Sequence, residues 1–335
     1  MPFFPRTCFG VSILKGLLCL GLALTGSCIL GEEPHHSVVS GWPKVPADHP
    51  LGQCVGIGVD AQNRVFVFHR SGRKWSQPFP KDPITPPTVS VFDGDSGALL
   101  FSWGAGSFIL PHGLTIALDG KVWLTDVGLH QVFQFTPEGK LLLTLGEAAV
   151  PGDDHGHFNL PTDVTVMADG SLYVSDGYRN TRVMKFDAEG RFLFEWGTKG
   201  KEPGQFDLPH GITSDAAGLL YVCDRTNSRI QVFDSAGHFL QQWKGPRIGR
   251  PYGIGTGPEG HLYLVDGGDP AFPPSQRGKV VELDAKGTIL DSFSGPGIEP
   301  GRLGLGHDIA VGPDGAVYVA EATAERVQKF VRRQE

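Results

Sequence analysis

Short apolar segments separated by tight turns recur along the whole chain. The repeating unit is an apolar strand, a turn, a second apolar strand that ends in a polar residue, and then a third strand. The unit occurs six times, at 56–70, 113–126, 163–176, 211–224, 253–266 and 308–321. Glycine-containing pairs such as DG, EG and AG separate the first two strands, as in β-hairpins. The pattern predicts an all-β chain.

The spacing of the copies predicts the architecture. Successive copies begin 42 to 57 residues apart, and most continue into a fourth strand, so each copy has the length of a propeller blade. The sixth copy ends at Phe330 after three strands, whereas residues 38–42 precede the first copy without a blade of their own. We expect this N-terminal segment to supply the missing outer strand. The prediction is a six-bladed β-propeller over 38–330.

Composition and charge narrow the classes of partner. The 335 residues include 47 Gly and 26 Pro and carry a net charge of −7. No long basic run is present, so nucleic acid and anionic membrane surfaces are not expected as partners. We expect a monomer that binds a small-molecule or peptide substrate.

The N-terminus has the pattern of a signal peptide. Arg6 and Lys15 precede the apolar GLLCLGLALTG segment, which is shorter than the roughly 20 residues that span a bilayer. We therefore expect residues 1–28 to direct the protein out of the cytoplasm, to a secreted or periplasmic location. Cys28 follows Thr-Gly-Ser, a loose match to a lipoprotein cleavage site, which leaves anchoring through a lipidated Cys28 as an alternative.

Histidine alternates around the predicted ring. The residue before each first strand is, in order, Val55, His112, Thr162, His210, Tyr252 and His307. The second, fourth and sixth blades lie about 120° apart, so the three imidazoles are expected to converge on the central channel. Three neutral nitrogens suit zinc with a fourth position open. Inheritance of a histidine-containing turn by the repeats is the structural alternative.

Further candidate residues lie on the same face, because the second strand of a hairpin returns to it. Arg70 and Arg225 follow this strand in opposite blades, and Tyr178 follows it in the third blade. Two guanidiniums and a phenol beside a metal suit a substrate with a carboxylate. Asp308, with the backbone carbonyls of Ile57 and Leu114, could hold calcium; the alternative is a solvated capping Asp.

These residues carry a resemblance to a known family. The segments LPHGLTIALDGKVWLTD, VSDGYRNTRV, LPHGITSDAAGLLYVCDRTNSRIQVF and FVFHRSGRKW closely resemble the NHL-repeat catalytic core of peptidyl-α-hydroxyglycine α-amidating lyases. The resemblance implies a six-bladed NHL propeller over most of 38–330. The sequence departs from the pattern of animal family members at two places. Arg179 stands where those members have a disulfide cysteine, and Leu305-Gly306 replaces a Met-Pro pair.

The resemblance also implies residue roles. It assigns zinc to His112, His210 and His307, the proton acceptor to Tyr178, substrate binding and positioning to Arg70 and Arg225, and structural calcium to Asp308 with the carbonyls of Ile57 and Leu114. The implied reaction cleaves the Cα–N bond of an N-acyl-α-hydroxyglycine and releases an amide and glyoxylate. We expect Arg225 to hold the carboxylate, with Arg70 nearer the metal and the base.

Two other functions remain open from the sequence. A non-catalytic NHL propeller would bind protein partners on its opposite face and would hold no transition metal. A calcium-dependent hydrolase such as a lactonase would place Asp, Glu and Asn around the channel, where the aligned positions instead carry His.

Overall fold

A computed structural model describes residues 35–268 and 278–333 of the chain. The predicted signal peptide, 1–28, and the lipidation candidate Cys28 lie outside the described residues. Within those residues the secondary structure consists of strands, and no helix has the length and apolar character needed to cross a membrane.

Within residues 35–268 and 278–333, twenty-four strands form six four-stranded antiparallel sheets, the blades. Blade 1 contains β2 (Cys54–Val59), β3 (Arg64–His69), β4 (Val89–Asp93) and β5 (Leu99–Trp103). Blade 2 contains β6 (Pro111–Ile116), β7 (Val122–Asp126), β8 (Gln131–Phe135) and β9 (Leu141–Leu145). Blade 3 contains β10 (Asp163–Val166), β11 (Leu172–Asp176), β12 (Arg182–Phe186) and β13 (Phe192–Trp196).

The remaining blades follow the same order. Blade 4 contains β14 (Pro209–Ser214), β15 (Leu220–Asp224), β16 (Arg229–Phe233) and β17 (Phe239–Lys244). Blade 5 contains β18 (Pro251–Thr256), β19 (Leu262–Asp266), β20 (Lys279–Leu283) and β21 (Ile289–Ser294). Blade 6 contains β22 (Gly306–Val311), β23 (Val317–Glu321), β24 (Arg326–Arg332) and β1 (His36–Val38).

Both ends of the chain build blade 6. Strand β1 pairs antiparallel with β24, so that Val38 lies opposite Phe330 and His36 opposite Arg332. The innermost strands pack against one another around the ring, and β22 returns to β2. The predicted six-bladed propeller, closed by a strand from the N-terminal segment, is confirmed, although that strand is His36–Val38 and so overlaps the predicted segment 38–42 only at Val38. Closure removes the two free sheet edges that an open ring would expose.

The hydrophobic core lies between neighbouring blades. Trp123 and Val132 of blade 2, for example, pack in one cluster with Val164 and Met184 of blade 3. The second strands are buried along their whole length, whereas outer strands such as β9 and β13 keep exposed positions. A strand that packs on both faces must be apolar throughout, which explains the continuous apolar runs in the sequence.

In blades 2 to 6, a carboxylate at the end of the second strand fixes the segment that leads into the innermost strand of the same blade. In blade 2 the buried Asp126 carboxylate accepts hydrogen bonds from the Ile109 and Leu110 amides. Carboxylates in the same position of the later blades accept from Asn159, Asp207, Arg250 and Gly304 amides. These bonds hold the segments that lead into the channel.

Cys54 and Cys223 lie in opposite blades, buried and unpaired, and burial raises the pKa of both thiols. We expect a reducing agent to leave the melting temperature unchanged, because no covalent bond between them stabilises the fold. Calorimetry with and without reductant checks this expectation. A fall of many degrees in reductant would contradict the separation of the two cysteines.

Candidate metal centre and active face

Three buried histidine side chains meet on the channel axis. His112, His210 and His307 each offer a ring nitrogen, and these nitrogens all lie within 4.8 Å of one another. The ring centroids are 4.7 to 4.9 Å apart, which gives a nearly threefold arrangement. In each of these blades the pairing of the first two strands is irregular at the histidine. Such a bulge redirects a side chain, here into the channel.

Backbone carbonyls of the odd blades set the tautomer of each histidine. The Nδ1 atom of His112 lies 2.6 Å from the Thr162 oxygen, that of His210 2.7 Å from the Tyr252 oxygen, and that of His307 2.7 Å from the Val55 oxygen. A carbonyl only accepts, so each Nδ1 carries the hydrogen and each Nε2 keeps a free lone pair. This is the usual preparation of a metal-binding histidine.

The three acceptors stand at the positions that align with the histidines in the other three copies. The alternation of histidine around the ring therefore has a physical meaning. Even blades supply the imidazoles, and odd blades supply the carbonyls that orient them.

Glycine follows the first two histidines because neighbouring strands approach closely there. A Cβ on Gly113 would lie 2.6 Å from the Thr162 oxygen, and a Cβ on Gly211 would lie 2.7 Å from the Tyr252 oxygen. These are the same carbonyls that accept the histidine hydrogens. The His-Gly pair thus combines a ligand with the close approach that its hydrogen bond requires.

Burial keeps the imidazoles neutral. It is the main cause of the lowered pKa of all three rings; positive charge from Arg225 lowers each pKa further, and positive charge from Arg70 lowers those of His112 and His307. The pKa of His307 falls to about 3. At neutral pH the three lone pairs therefore face little competition from protons, and the donor set fits a borderline-soft divalent ion such as zinc.

The Tyr178 hydroxyl lies at the mouth of the triad. Its oxygen is 3.0 Å from His112 Nε2 and 3.4 Å from His210 Nε2. Because His112 Nε2 is unprotonated, the hydroxyl donates to it. The phenol oxygen is thus beside the nitrogens that would hold a metal ion.

The guanidinium group of Arg225 has hydrogen-bond donors that no acceptor among the described residues uses. Its guanidinium carbon lies 4.6 Å from the centre of the Tyr252 ring and 5.2 Å from that of Tyr178. Its Nη1 donates to the Tyr178 hydroxyl at 3.4 Å, and its buried Nε has no acceptor among the described residues. Two aromatic faces hold the cation through its charge rather than through its N–H groups, so the donors that do not bond to Tyr178 are left for an incoming carboxylate.

Arg70 is more heavily engaged. Its Nε donates to the Pro111 oxygen at 3.1 Å and its Nη1 to Gln53 Oε1 at 2.7 Å. Burial lowers its pKa to about 10, so it remains charged at neutral pH. Arg225 donates to the Tyr178 hydroxyl, and the charge of Arg70 acts on Tyr178, His112 and His307; the expectation that Arg70 lies nearer the metal and the base stays a prediction.

A second layer of polar groups lies deeper in the channel. The carboxylates of Asp163 and Asp308, in opposite blades, border a cavity of about 130 Å³ that Ile57 and Leu114 also line. Asp308 accepts the Ile57 amide at 2.9 Å, and Asp163 accepts the Ile212 amide at 3.0 Å. Burial raises the pKa of both carboxyl groups. Cations stabilise such buried carboxylates, so the oxygen-rich cavity fits a hard ion.

Comparison with known proteins identifies the family. An NHL repeat model matches residues 206–233. The chain is 39% identical over 324 residues to peptidyl-glycine alpha-amidating monooxygenase B of Xenopus laevis, a match that covers 90% of this chain and 36% of that protein. It is 33% identical over 322 residues to peptidyl-alpha-hydroxyglycine alpha-amidating lyase 2 of Drosophila melanogaster, which covers 89% of this chain and 76% of that protein. The chain belongs to the peptidyl-α-hydroxyglycine α-amidating lyase family.

This lyase-family chain spans about a third of the length of the Xenopus protein. Its fold is shared more widely. A virginiamycin B lyase from Staphylococcus aureus superposes with a TM-score of 0.57 at 15% identity, covering 88% of this chain and 98% of that one. At this identity the match concerns the fold alone.

The structure places three further features, which had no predicted role, at the site of this lyase-family chain. They are Tyr252 behind Arg225, Asp163 opposite Asp308, and the aromatic pair Trp75 and Phe79 beside Tyr178. Asp163 could have been predicted from the sequence, because it occupies in the third copy the position that Asp308 occupies in the sixth.

Proposed function

We propose that this protein is a zinc-dependent lyase that cleaves the Cα–N bond of N-acyl-α-hydroxyglycines. The observation that carries the proposal is the arrangement of three unprotonated Nε2 atoms next to the Tyr178 oxygen. Family membership supports the same reaction. A zinc ion held by His112, His210 and His307 would act as a Lewis acid toward the substrate hydroxyl.

In this proposal Tyr178 moves the proton. Its oxygen accepts the proton of the substrate hydroxyl as the C–O bond gains double-bond character and the Cα–N bond breaks. The departing amide nitrogen then takes up that proton, so the products are a primary amide and glyoxylate and no water is consumed. Arg225, whose Nη1 donates to the Tyr178 oxygen, would stabilise the negative charge on that oxygen when it acts as proton acceptor.

Arg225 holds the substrate carboxylate in this proposal. Its unused donors and its position against Tyr178 and Tyr252 support the assignment. Arg70, which is tied to Pro111 and Gln53, contributes positive charge and positions the segment around it.

For the deeper cavity we propose calcium as a structural ion. Asp308 and the Ile57 and Leu114 carbonyls are the predicted ligands, and Asp163 is an additional candidate because it lines the same cavity. The ion would neutralise two facing carboxylates below the histidines.

The reaction is tested with benzoyl-α-hydroxyglycine as substrate. We expect benzamide and glyoxylate in equal amounts, measured by chromatography and a glyoxylate assay. Hydrolysis to benzoate, or no turnover of several such substrates by zinc-loaded protein, would refute the lyase proposal and favour a non-catalytic propeller.

Replacing the proposed carboxylate anchor is expected to weaken substrate binding. Arg225→Ala should raise KM by about 10- to 150-fold, the equivalent of the ~1.5–3 kcal/mol typical of a charged hydrogen bond, with bound zinc retained. The matched control is Arg191→Ala, because Arg191 is an exposed arginine on an outer turn of blade 3. Unchanged KM in Arg225→Ala would remove Arg225 from this role.

A further inference from the structure

One connection on the histidine face is much longer than its counterparts. The segment between β3 and β4 of blade 1 runs over 70–88, whereas the equivalent connections in blades 2, 3, 4 and 6 contain four or five residues. The proposed reaction gives no role to most of this segment. Its sequence, RSGRKWSQPFPKDPITPPT, includes two aromatic residues, Trp75 and Phe79.

The segment is fixed to the body of the propeller. Arg73 donates to the Ile109 oxygen at 3.0 Å and to the Asp82 carboxylate at 2.7 Å. The Ile84 amide donates to the Phe108 oxygen at 2.7 Å, and the Trp75 amide donates to Gln53 Oε1 at 3.3 Å. Bonds on both sides of the aromatic pair therefore hold it in place.

Trp75 and Phe79 form an apolar surface beside the proton acceptor. The Trp75 ring lies 5.1 Å from the Tyr178 ring and 5.3 Å from the Arg70 guanidinium carbon. Phe79 packs edge-on against Trp75 with the ring centres 5.0 Å apart. Both side chains rest on the buried cluster of Ile109, Leu110, Val127 and Leu160 and remain half-buried themselves. Their remaining surface is open to a ligand.

The position of this surface relative to Arg225 indicates what it would bind. Arg225 contacts Tyr178 from the blade 4 side, and Trp75 contacts it from the blade 2 side, where Trp75 rests on the apolar cluster that contains Ile109 and Val127. A substrate whose carboxylate is held by Arg225, and whose hydroxyl points to Tyr178, extends its acyl group away from Arg225. That direction leads to Trp75 and Phe79.

We propose that Trp75 and Phe79 bind the acyl side chain next to the hydroxyglycine and select substrates in which it is aromatic or large and apolar. The inference rests on the proposed lyase function. Rigid aromatic surfaces bind apolar groups by removing them from water, and such a surface discriminates by size rather than by hydrogen bonding.

The test compares two substrates that differ only in this side chain, N-acetyl-phenylalanyl-α-hydroxyglycine and N-acetyl-glycyl-α-hydroxyglycine. We expect kcat/KM for the first to exceed that for the second by about tenfold or more. Phe79→Ala should reduce this ratio several-fold through a lower kcat/KM for the phenylalanyl substrate. Trp75→Ala should bring the ratio of the two kcat/KM values to about one. Loss of the contact between Trp75 and Tyr178 can lower both kcat/KM values without changing this expectation.

Phe194→Ala serves as the control, because Phe194 is a partly buried phenylalanine on the outer strand of blade 3. It should keep the wild-type ratio. Binding of the unreactive pair N-acetyl-phenylalanylglycine and N-acetylglycylglycine, measured by calorimetry, should show the same preference and the same loss in Phe79→Ala. Glyoxylate release from both substrates at equal kcat/KM would overturn this inference and leave the lyase function intact. No glyoxylate from either substrate would overturn both.

Discussion

His210→Ala is expected to lose both the transition-metal ion and glyoxylate release. Removal of one imidazole leaves two nitrogen ligands, and three protein ligands are the usual minimum for a catalytic zinc site. Loss of one hydrogen bond that orients a metal-binding side chain typically lowers metal affinity ~10–100-fold. Loss of the His210 imidazole itself should lower zinc affinity by more than this. Elemental analysis after dialysis, together with a glyoxylate assay, measures both effects. His112→Ala and His307→Ala should behave alike, because the three rings are related by near-threefold symmetry.

His238→Ala provides the control for the histidine variants. His238 is exposed on a turn of blade 4, where its ring pairs with Asp234. Its removal should change neither metal content nor activity. Retention of a full equivalent of metal by all three triad variants would show that the ion binds elsewhere.

Tyr178→Phe is expected to lower kcat by about 10²–10⁴-fold, the range typical of general acid–base catalysis. The change removes one oxygen and keeps the ring that packs on Trp75 and Arg225. KM and zinc content should therefore remain close to those of the wild type. Steady-state kinetics of glyoxylate release separates the two parameters.

Tyr221→Phe is the matched control for this variant, since the Tyr221 hydroxyl bonds to Asp215 in a hairpin turn of blade 4. That substitution should leave kcat unchanged. If Tyr178→Phe kept kcat within a few-fold of the wild type, another group would have to accept the proton.

Much of the fold could be predicted because its signals are local and repeated. Six hairpins in sequence register define six blades, and the missing outer strand of the sixth copy predicts that the N-terminal segment completes that blade, as the pairing of β1 with β24 shows. The alternating histidines were predictable for the same reason: symmetry places His112, His210 and His307 around one axis before any distance is known.

Other parts of the site depend on contacts that leave no pattern in the sequence. The acceptors for the histidine Nδ1 hydrogens are backbone carbonyls, and the side chains of Val55 and Thr162 do not reveal them. The distinction between Arg70 and Arg225 depends on which donors are already used, which only packing decides. The connection at 70–88 lacks any periodicity, so Trp75 could not be placed beside Tyr178 from the sequence.

The most direct test of zinc-dependent lyase activity is a zinc titration of metal-free protein, followed by glyoxylate release from benzoyl-α-hydroxyglycine. Calcium should be held constant so that the deeper site is not varied. We expect no activity without zinc, a linear rise with added zinc, and a plateau at about one equivalent per chain, because one triad binds one ion. Full activity in the chelated, zinc-free protein, or no glyoxylate at any zinc load, would contradict zinc-dependent lyase activity.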